Sequence, residues 1–362
     1  MSRAKIMILA GGTGGHVIPG LTIAKALEDA KCDITWIGTK GGIEEKLVPK
    51  ANIKIEYITV MGLRGKSLMS VLIAVKQLIQ SIFQSINLLM KYRPDVVIGM
   101  GGYVSGPGGI AAFLLRYPLV IHEQNSVPGT TNKFLARIAS SVLEAFPGSF
   151  RSKMNAKTIG NPIREEIALI EDPKKRLQDR TFPIRILVLG GSQGSLILNQ
   201  SVPRAIKDVA LSNKLEVFHQ AGEKTLSNAK KAYEDVPVGL YLVDYIDDIA
   251  DAYKWADLVI CRAGAMTVSE LLAVGLPVIF IPFSKATDDH QTENAKYMQE
   301  LGAAEIISED DISNDLLTIT LKDWVKDRSV LRRRACLARS KAKLNSTSDI
   351  VETCLNYVSH DE

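Results

Sequence analysis

A short apolar run that breaks into paired glycines and a hydroxyl residue, then leads into a helix, occurs twice in this chain. The first copy is Ala4-Lys5-Ile6-Met7-Ile8-Leu9-Ala10 with the loop Gly11-Gly12-Thr13-Gly14-Gly15-His16. The second is Ile184-Arg185-Ile186-Leu187-Val188-Leu189 with Gly190-Gly191-Ser192-Gln193-Gly194-Ser195. Each run reads as a parallel strand buried on both faces. The glycines let a ligand approach the backbone, and the amides of the turn, with the positive end of the helix that follows, suit a negatively charged group. A chain that restarts this unit halfway along reads as an α/β protein of two tandem Rossmann-like domains, and 362 residues suffice for two. The boundary is expected between Asn161 and Arg180, giving domains 1–163 and 164–343.

Composition narrows the class. Hydrophobic residues at 46% and charged residues at 23% belong to a folded chain. Cys32, Cys261, Cys336 and Cys354 show neither a C-x-x-C pair nor zinc-ligand spacing, so reduced thiols in the cytoplasm are expected. The apolar run before Gly11 is too short for a signal-peptide core, so no export is predicted. The net charge is +4, but it is uneven. Residues 57–143 hold Arg64, Lys66, Lys76, Lys91, Arg93, Arg116, Lys133 and Arg137 against Asp95 and Glu123, which is +6 and leaves −2 for the remainder. The first half therefore faces something anionic, and sparse aromatics without an RNA-binding signature favour a membrane surface over nucleic acid.

Along the chain, Asp33–Gly38 reads as a second strand. A dinucleotide site would place an acid at its end, where Thr39-Lys40 stands, and this argues against a nicotinamide or flavin. Residues 66–92 carry Leu68, Leu72, Val75, Ile79, Ile82, Phe83, Ile86 and Leu89 on one helical face; Met69, Ile73, Leu78 and Met90 widen it, and no acid interrupts it. Such a helix either lies on an anionic bilayer or packs two-sided between a sheet and another helix. Strand ends at Gly101-Gly102-Tyr103-Val104-Ser105 and at His122-Glu123-Gln124-Asn125 bring further polar chemistry to the crevice side of the sheet.

The order Gly11–His16, Gly101–Pro107, His122–Asn125, Gly160-Asn161-Pro162-Ile163-Arg164, Gly190–Gly194 and Arg262-Ala263-Gly264-Ala265-Met266-Thr267-Val268-Ser269-Glu270 resembles the MurG family. These bacterial enzymes add N-acetylglucosamine to the undecaprenyl-pyrophosphoryl-muramoyl-pentapeptide precursor of peptidoglycan. The resemblance implies a glycosyltransferase-B fold and no cofactor. Residues 1–163 would take the lipid acceptor at the cytoplasmic face of the cell membrane, with the tail 344–362 packing back on them, and 164–343 would take UDP-N-acetylglucosamine. Cell-wall or division proteins become candidate partners. The resemblance also implies that Arg164, Ser192, Ile246, Ala265, Met266, Thr267, Glu270, His290 and Gln291 serve the donor. Thr13, Gly14, Gly15 and Asn125 would face the sugar, and Gly102, Tyr103 and Ser105 the acceptor. The family often carries a second glutamine where His290 stands.

The chemistry needs a stabilised diphosphate leaving group and a deprotonated hydroxyl. No Asp-x-Asp triplet is present; Asp247-Asp248 and Asp288-Asp289 are adjacent pairs, the first placed as a helix start. No essential metal is therefore expected, and backbone amides at Gly190–Gly194 and Gly264–Thr267 would meet the leaving charge. His16 and Glu123 are the candidate general bases, His16 first, because an imidazole ordinarily titrates near neutrality. The alternative for His16 is a loop-ordering hydrogen bond, and for His122 a buried partner at a strand end. Thr267–Glu270 also reads as a T-x-x-E capping box, a purely structural use of Glu270. Competing functions are another UDP-sugar enzyme of the same fold, such as an epimerase or a different glycolipid transferase, and a UDP-sugar-binding regulator without turnover.

Overall fold

A computed structural model describes residues 3–60, 68–191, 193–284 and 289–358, with the side chains of 68–74, 313 and 314 outside the description. The chain divides into two units: residues 1–163 with 343–362, and residues 164–342. Lys343 thus falls with the first unit.

In the first unit the strands are β1 (Lys5–Ala10), β2 (Asp33–Gly38), β3 (Lys54–Tyr57), β4 (Val96–Gly101), β5 (Leu119–Glu123), β6 (Ser141–Glu144) and β7 (Lys157–Thr158). They form a parallel sheet in the order β3-β2-β1-β4-β5-β6-β7. Its helices are α1 (Gly14–Asp29), α2 (Glu44–Lys50), α3 (Leu68–Tyr92), α4 (Ser105–Leu114) and α5 (Thr130–Leu135). The second unit holds α6 (Glu165–Ala168), α7 (Pro173–Arg176), α8 (Leu196–Ala210), α9 (Leu226–Tyr233), α10 (Ile249–Trp255), α11 (Ala265–Val274), α12 (His290–Glu300), α13 (Leu316–Val325) and α14 (Arg328–Arg339). Its parallel sheet runs β10 (Gly239–Val243), β9 (Leu215–Gln220), β8 (Ile184–Leu189), β11 (Leu258–Cys261), β12 (Val278–Phe280), β13 (Ala304–Ile306). Strand order reverses between β1 and β4 and again between β8 and β11, and crevices in open parallel sheets form at such switch points. Each glycine loop leaves the first strand of its sheet at one of them.

The buried strands divide their side chains between two helical layers, as the two-residue period of a strand requires. Ile6, Ile8 and Ala10 of β1 pack with Ile23, Ala24 and Leu27 of α1, and with Ile350 and Cys354 of the last helix, α15 (Ser346–Leu355). Met7 and Leu9 face Leu89 of α3 and Ala111 and Ala112 of α4. The hydroxyls of Ser346 and Thr347 donate to the carbonyls of Asn161 and Ile163, so α15 rests on the unit that begins the chain.

Three local expectations change. The apolar run Leu21–Leu27 reads as the first helix, but that helix already starts at Gly14 and takes His16 into its first turn. Residues Tyr245–Tyr253 read as a helix with acids in its first turn, but the helix begins at Ile249, because Asp248 caps it by accepting from Asp251 N at 2.9 Å. In α3 the inward face is partly polar: Ser81 and Ser85 are buried, whereas Val75, Ile79 and Phe83 point to solvent at 47%, 50% and 62% exposure. The inward serines are satisfied within the unit, since Ser81 Oγ lies 2.6 Å from Thr59 O and from Gln77 O, and Ser85 Oγ lies 2.8 Å from Ser81 O. Lys66 lies outside the described residues, as do the side chains of Leu68, Met69, Leu72 and Ile73.

Candidate active site

In the second unit, the carboxyl ends of the strands open onto a cavity of about 200 Å³ lined by Arg164, Gly191, Gln220, Ile246, Arg262, Thr267 and Glu270, among others. Glu270 sits in the second turn of α11. Its Oε1 accepts from Arg164 Nη2 at 3.1 Å and its Oε2 from Tyr253 Oη at 3.0 Å. Burial pushes the Glu270 carboxyl above its ordinary range, against the pull of Arg164. Burial also opposes the charge on Arg164, yet Glu270 more than offsets it and the guanidinium pKa rises. The two shifts differ in which effect wins because Glu270 lies deeper, its side chain 11% exposed against 37% for Arg164. Tyr253 is driven well above its usual value by burial and by the neighbouring carboxylate, so it remains a donor.

The capping-box reading of Glu270 fails here. Helix α11 is capped at Gly264, with no side-chain cap bond, and Thr267 already lies inside the helix. The first turn of α11, with Ala265, Met266 and Thr267, presents the positive end of its dipole on the same side of the sheet. Of these three only Thr267 lines the cavity, and neither His290 nor Gln291 does. His290 opens α12, and Gln291 Oε1 accepts from Phe283 N at 3.0 Å. Ser192 and Asp288 lie outside the described residues. Arg262 is a brace: it donates to Ile281 O at 2.9 Å, Pro282 O at 3.0 Å and Ser195 Oγ at 2.9 Å, and pairs with Glu309. Around it the loops pack so closely that a Cβ at Gly194 would stand 2.2 Å from Ala221 O.

In the first unit the two glycine loops meet at the switch point. Gly102, at φ +83°, passes so near the first loop that a Cβ would lie 2.2 Å from Gly11 O, and one on Gly101 would lie 2.6 Å from His16 Nδ1. His16 is half-buried in the first turn of α1, and its Nδ1 lies 3.1 Å from Gln124 Oε1. Thr13 caps that helix with its backbone in extended geometry and its side chain uninvolved, and Thr13 and Gly15 are exposed. Tyr103 is also exposed beside them. The loop is pinned from behind by Glu44, a fully buried carboxylate of α2 that accepts from Gly12 N at 3.0 Å, Thr39 N at 3.0 Å and Thr39 Oγ1 at 2.7 Å. One amide of the expected anion cradle is therefore already taken.

Glu123 is not presented as a base. Its oxygens accept from Asn125 N, Asn125 Nδ2, Gly129 N and Asn132 Nδ2 at 2.9–3.2 Å, and the residue is 1% exposed. Asn125 is thereby tied to Glu123 by two bonds. Ser105 is likewise buried, its hydroxyl engaged with Gly101 N, Leu9 O and Gly101 O, so it shapes the second loop and does not reach a ligand. His122 is the buried strand-end partner, with Nε2 2.9 Å from Gly160 O. Glu44, Gln124 and Tyr253 were not singled out in the sequence. Gln124 lies inside the His122–Asn125 motif, whereas Glu44 reads as an ordinary acid at the start of a surface helix.

Outside the crevice, Val75, Ile79, Phe83 and Met90 of α3 are exposed, as are Phe113 and Leu114 at the end of α4. Among the described residues no helix is long and apolar enough to cross a membrane.

Two Rossmann-like units, each with a glycine loop at the switch point of a parallel sheet, have the architecture of the glycosyltransferase-B fold. Residues 6–144 match the glycosyltransferase family 28 N-terminal domain and residues 185–353 its C-terminal domain. The chain is 45% identical over 353 residues to the UDP-N-acetylglucosamine–N-acetylmuramyl-(pentapeptide) pyrophosphoryl-undecaprenol N-acetylglucosamine transferase of Marinobacter nauticus, covering 98% of this chain and 97% of that protein. The crystal structure of Acinetobacter baumannii MurG superposes with a TM-score of 0.88 at 36% identity, over 98% of this chain and 99% of that one. This chain belongs to the MurG family of glycosyltransferases. A UDP-GlcNAc 2-epimerase from Neisseria meningitidis superposes over 98% of this chain and 100% of its own at a TM-score of 0.66 and 12% identity, which is a likeness of fold alone.

Proposed function

We propose that this N-acetylglucosaminyltransferase of peptidoglycan synthesis moves N-acetylglucosamine from UDP-N-acetylglucosamine to the C4 hydroxyl of the undecaprenyl-linked muramoyl-pentapeptide, with inversion. The observation that carries the donor half is the Glu270 carboxylate, held by Arg164 and Tyr253 with one accepting position left on each oxygen. That arrangement suits the paired hydroxyls of a ribose. Ile246 and Arg164 line the same cavity, and the N-terminus of α11 offers its dipole to the diphosphate. Acceptor chemistry is assigned to His16, with Thr13, Gly15 and Tyr103 exposed around it. As the acceptor oxygen bonds to the anomeric carbon, the carbon–oxygen bond to UDP breaks, the hydroxyl proton passes to His16, and UDP leaves with the electron pair. The exposed apolar face of α3 and α4, in the cationic part of the sequence, seats the unit on the anionic cytoplasmic leaflet where a lipid-linked acceptor resides.

The test is transfer from labelled UDP-N-acetylglucosamine to the muramoyl-pentapeptide lipid, scored for released UDP and for disaccharide. His16→Ala should lower kcat by about 10²–10⁴-fold, the range of a lost general base. A wild-type protein that epimerises the donor, or binds it without transfer, would overturn the reading.

A further inference from the structure

His16 is the last member of a hydrogen-bonded chain whose first member is a backbone carbonyl. Gly160 O lies 2.9 Å from His122 Nε2; His122 Nδ1 lies 3.2 Å from Gln124 Nε2; and Gln124 Oε1 lies 3.1 Å from His16 Nδ1. A carbonyl only accepts, so His122 carries its proton on Nε2. Burial pushes the His122 pKa down to about 4, which keeps the ring neutral near pH 7 and leaves Nδ1 with a lone pair. That lone pair, together with His122 O at 3.3 Å, selects the amino end of the Gln124 amide. The oxygen of Gln124 is thereby turned toward His16, and since it too only accepts, the proton of a neutral His16 belongs on Nδ1.

We propose that Gln124 and His122 are positioning residues that hold His16 in its Nδ1–H form, leaving Nε2 as the lone pair that receives the acceptor's proton. This rests on His16 as the base. The chain also serves the protonated state, because the Gln124 carbonyl oxygen keeps its hydrogen bond when the ring becomes cationic. Its members are held firmly: Gln124 is 1% exposed, and Asn161 Nδ2 donates to Gln124 O at 3.0 Å. Asn132 Nδ2 donates to His122 O at 3.2 Å. A tautomer set this way is selected before any substrate arrives.

The protein has five histidines, so ¹⁵N-histidine labelling of the full chain gives a readable long-range proton–nitrogen spectrum, with His16 assigned by its loss in His16→Asn. The wild type should show a pyrrole-like Nδ1 and a pyridine-like Nε2 for His16. Gln124→Leu should move the ring toward the Nε2–H form and lower kcat by roughly 5- to 100-fold, less than removal of the base, because only the competent fraction is reduced. Its KM for the donor should stay within about twofold of wild type. Gln124→Glu keeps an acceptor facing His16 but removes the donor that faces His122 Nδ1, so His16 should keep a pyrrole-like Nδ1 while the His122 nitrogen signals move. A wild-type His16 that is mainly Nε2–H, or a Gln124→Leu spectrum identical to wild type, overturns the proposal. The nitrogen spectra judge the relay whatever turnover His16→Ala shows, so a failure of the base reading is read separately.

Discussion

Replacing Glu270 by glutamine changes charge while keeping shape, and the surroundings say what should follow. The two groups that hold it are Arg164, which only donates, and Tyr253, whose hydroxyl can turn and accept. The glutamine oxygen will therefore face Arg164 and its amino group Tyr253, so the helix and the packing survive. Two things are lost. The bond from Arg164 no longer joins two opposite charges, and a ribose that would have donated to two carboxylate oxygens now meets one acceptor and one donor. Hydrogen bonds to a charged group contribute about 1.5–3 kcal/mol, so loss of one such bond to the ligand corresponds to a UDP Kd raised roughly 10- to 150-fold. Folding stability should change little, because burial already disfavours the carboxylate and Arg164 remains partly solvated. Calorimetric titration with UDP, beside a urea unfolding curve, measures both. A Glu270→Gln protein that binds UDP within about twofold of wild type refutes the ribose assignment, and one that loses urea resistance in proportion to affinity makes Glu270 a brace. The raised carboxyl pKa adds a sign: donor binding needs the ionised form, so affinity should fall with decreasing pH while an ordinary glutamate is still charged. Uridine is the better ligand for that profile, since it carries no titrating phosphate.

The paired change Ile79→Ser and Phe83→Ser should weaken binding to anionic vesicles at least tenfold, given that one buried apolar side chain is worth about 1.5–3 kcal/mol. Both residues are at least half exposed, so the unfolding midpoint should hold, and undiminished vesicle binding at low salt would remove α3 from the membrane. Asp257 is buried beneath Arg180 and Arg328 and also accepts from Arg185 N; Asp257→Asn should cost about 3–5 kcal/mol in denaturant unfolding by removing the negative charge that two largely buried guanidinium groups share. Burial depresses the pKa of His122 to about 4 and of His219 to about 3, so the unfolded chain binds protons that the native state refuses as pH falls below 6.5. Stability present above pH 6.5 should therefore fall progressively toward pH 4, by about 2 kcal/mol per histidine at pH 5. A His219→Gln variant with the same pH slope as wild type would exclude that residue as a source.

The architecture was legible because its signals are local. Apolar runs such as Ile6–Ala10 and Ile184–Leu189 ended in glycine at both switch points, and the absence of an acid after Asp33–Gly38 separated this first loop from a dinucleotide site. Helix α3 was less legible, since period alone shows that Val75, Ile79 and Phe83 share a face without showing which way that face turns. The answer depended on Ser81 and Ser85 finding backbone acceptors inside, which is tertiary information. The start of α1 was misplaced for a related reason: Gly14 and Gly15 have poor helix propensity, and only the packed loops around them hold that first turn.

Which carboxylate faces a ligand was the least legible feature, and the structure offers a counting argument for it. A carboxylate has about four accepting positions. Glu123 fills all four with donors from its own loop and helix, although it lies inside the His122–Asn125 motif. Glu44 fills three with Gly12 and Thr39, and Asp257 three with two arginines and a backbone amide. Glu270 accepts one donor on each oxygen and lines a cavity, so it keeps two accepting positions beside a space that a ligand can enter. All four are buried acids, and their sequence contexts do not rank them, because the donors that saturate a carboxylate come from residues far apart in the chain. What separates these four acids is unused accepting capacity at a cavity wall, and it is on that measure that the proposed function assigns the donor ribose to Glu270 and leaves proton transfer in the first unit to the imidazole of His16.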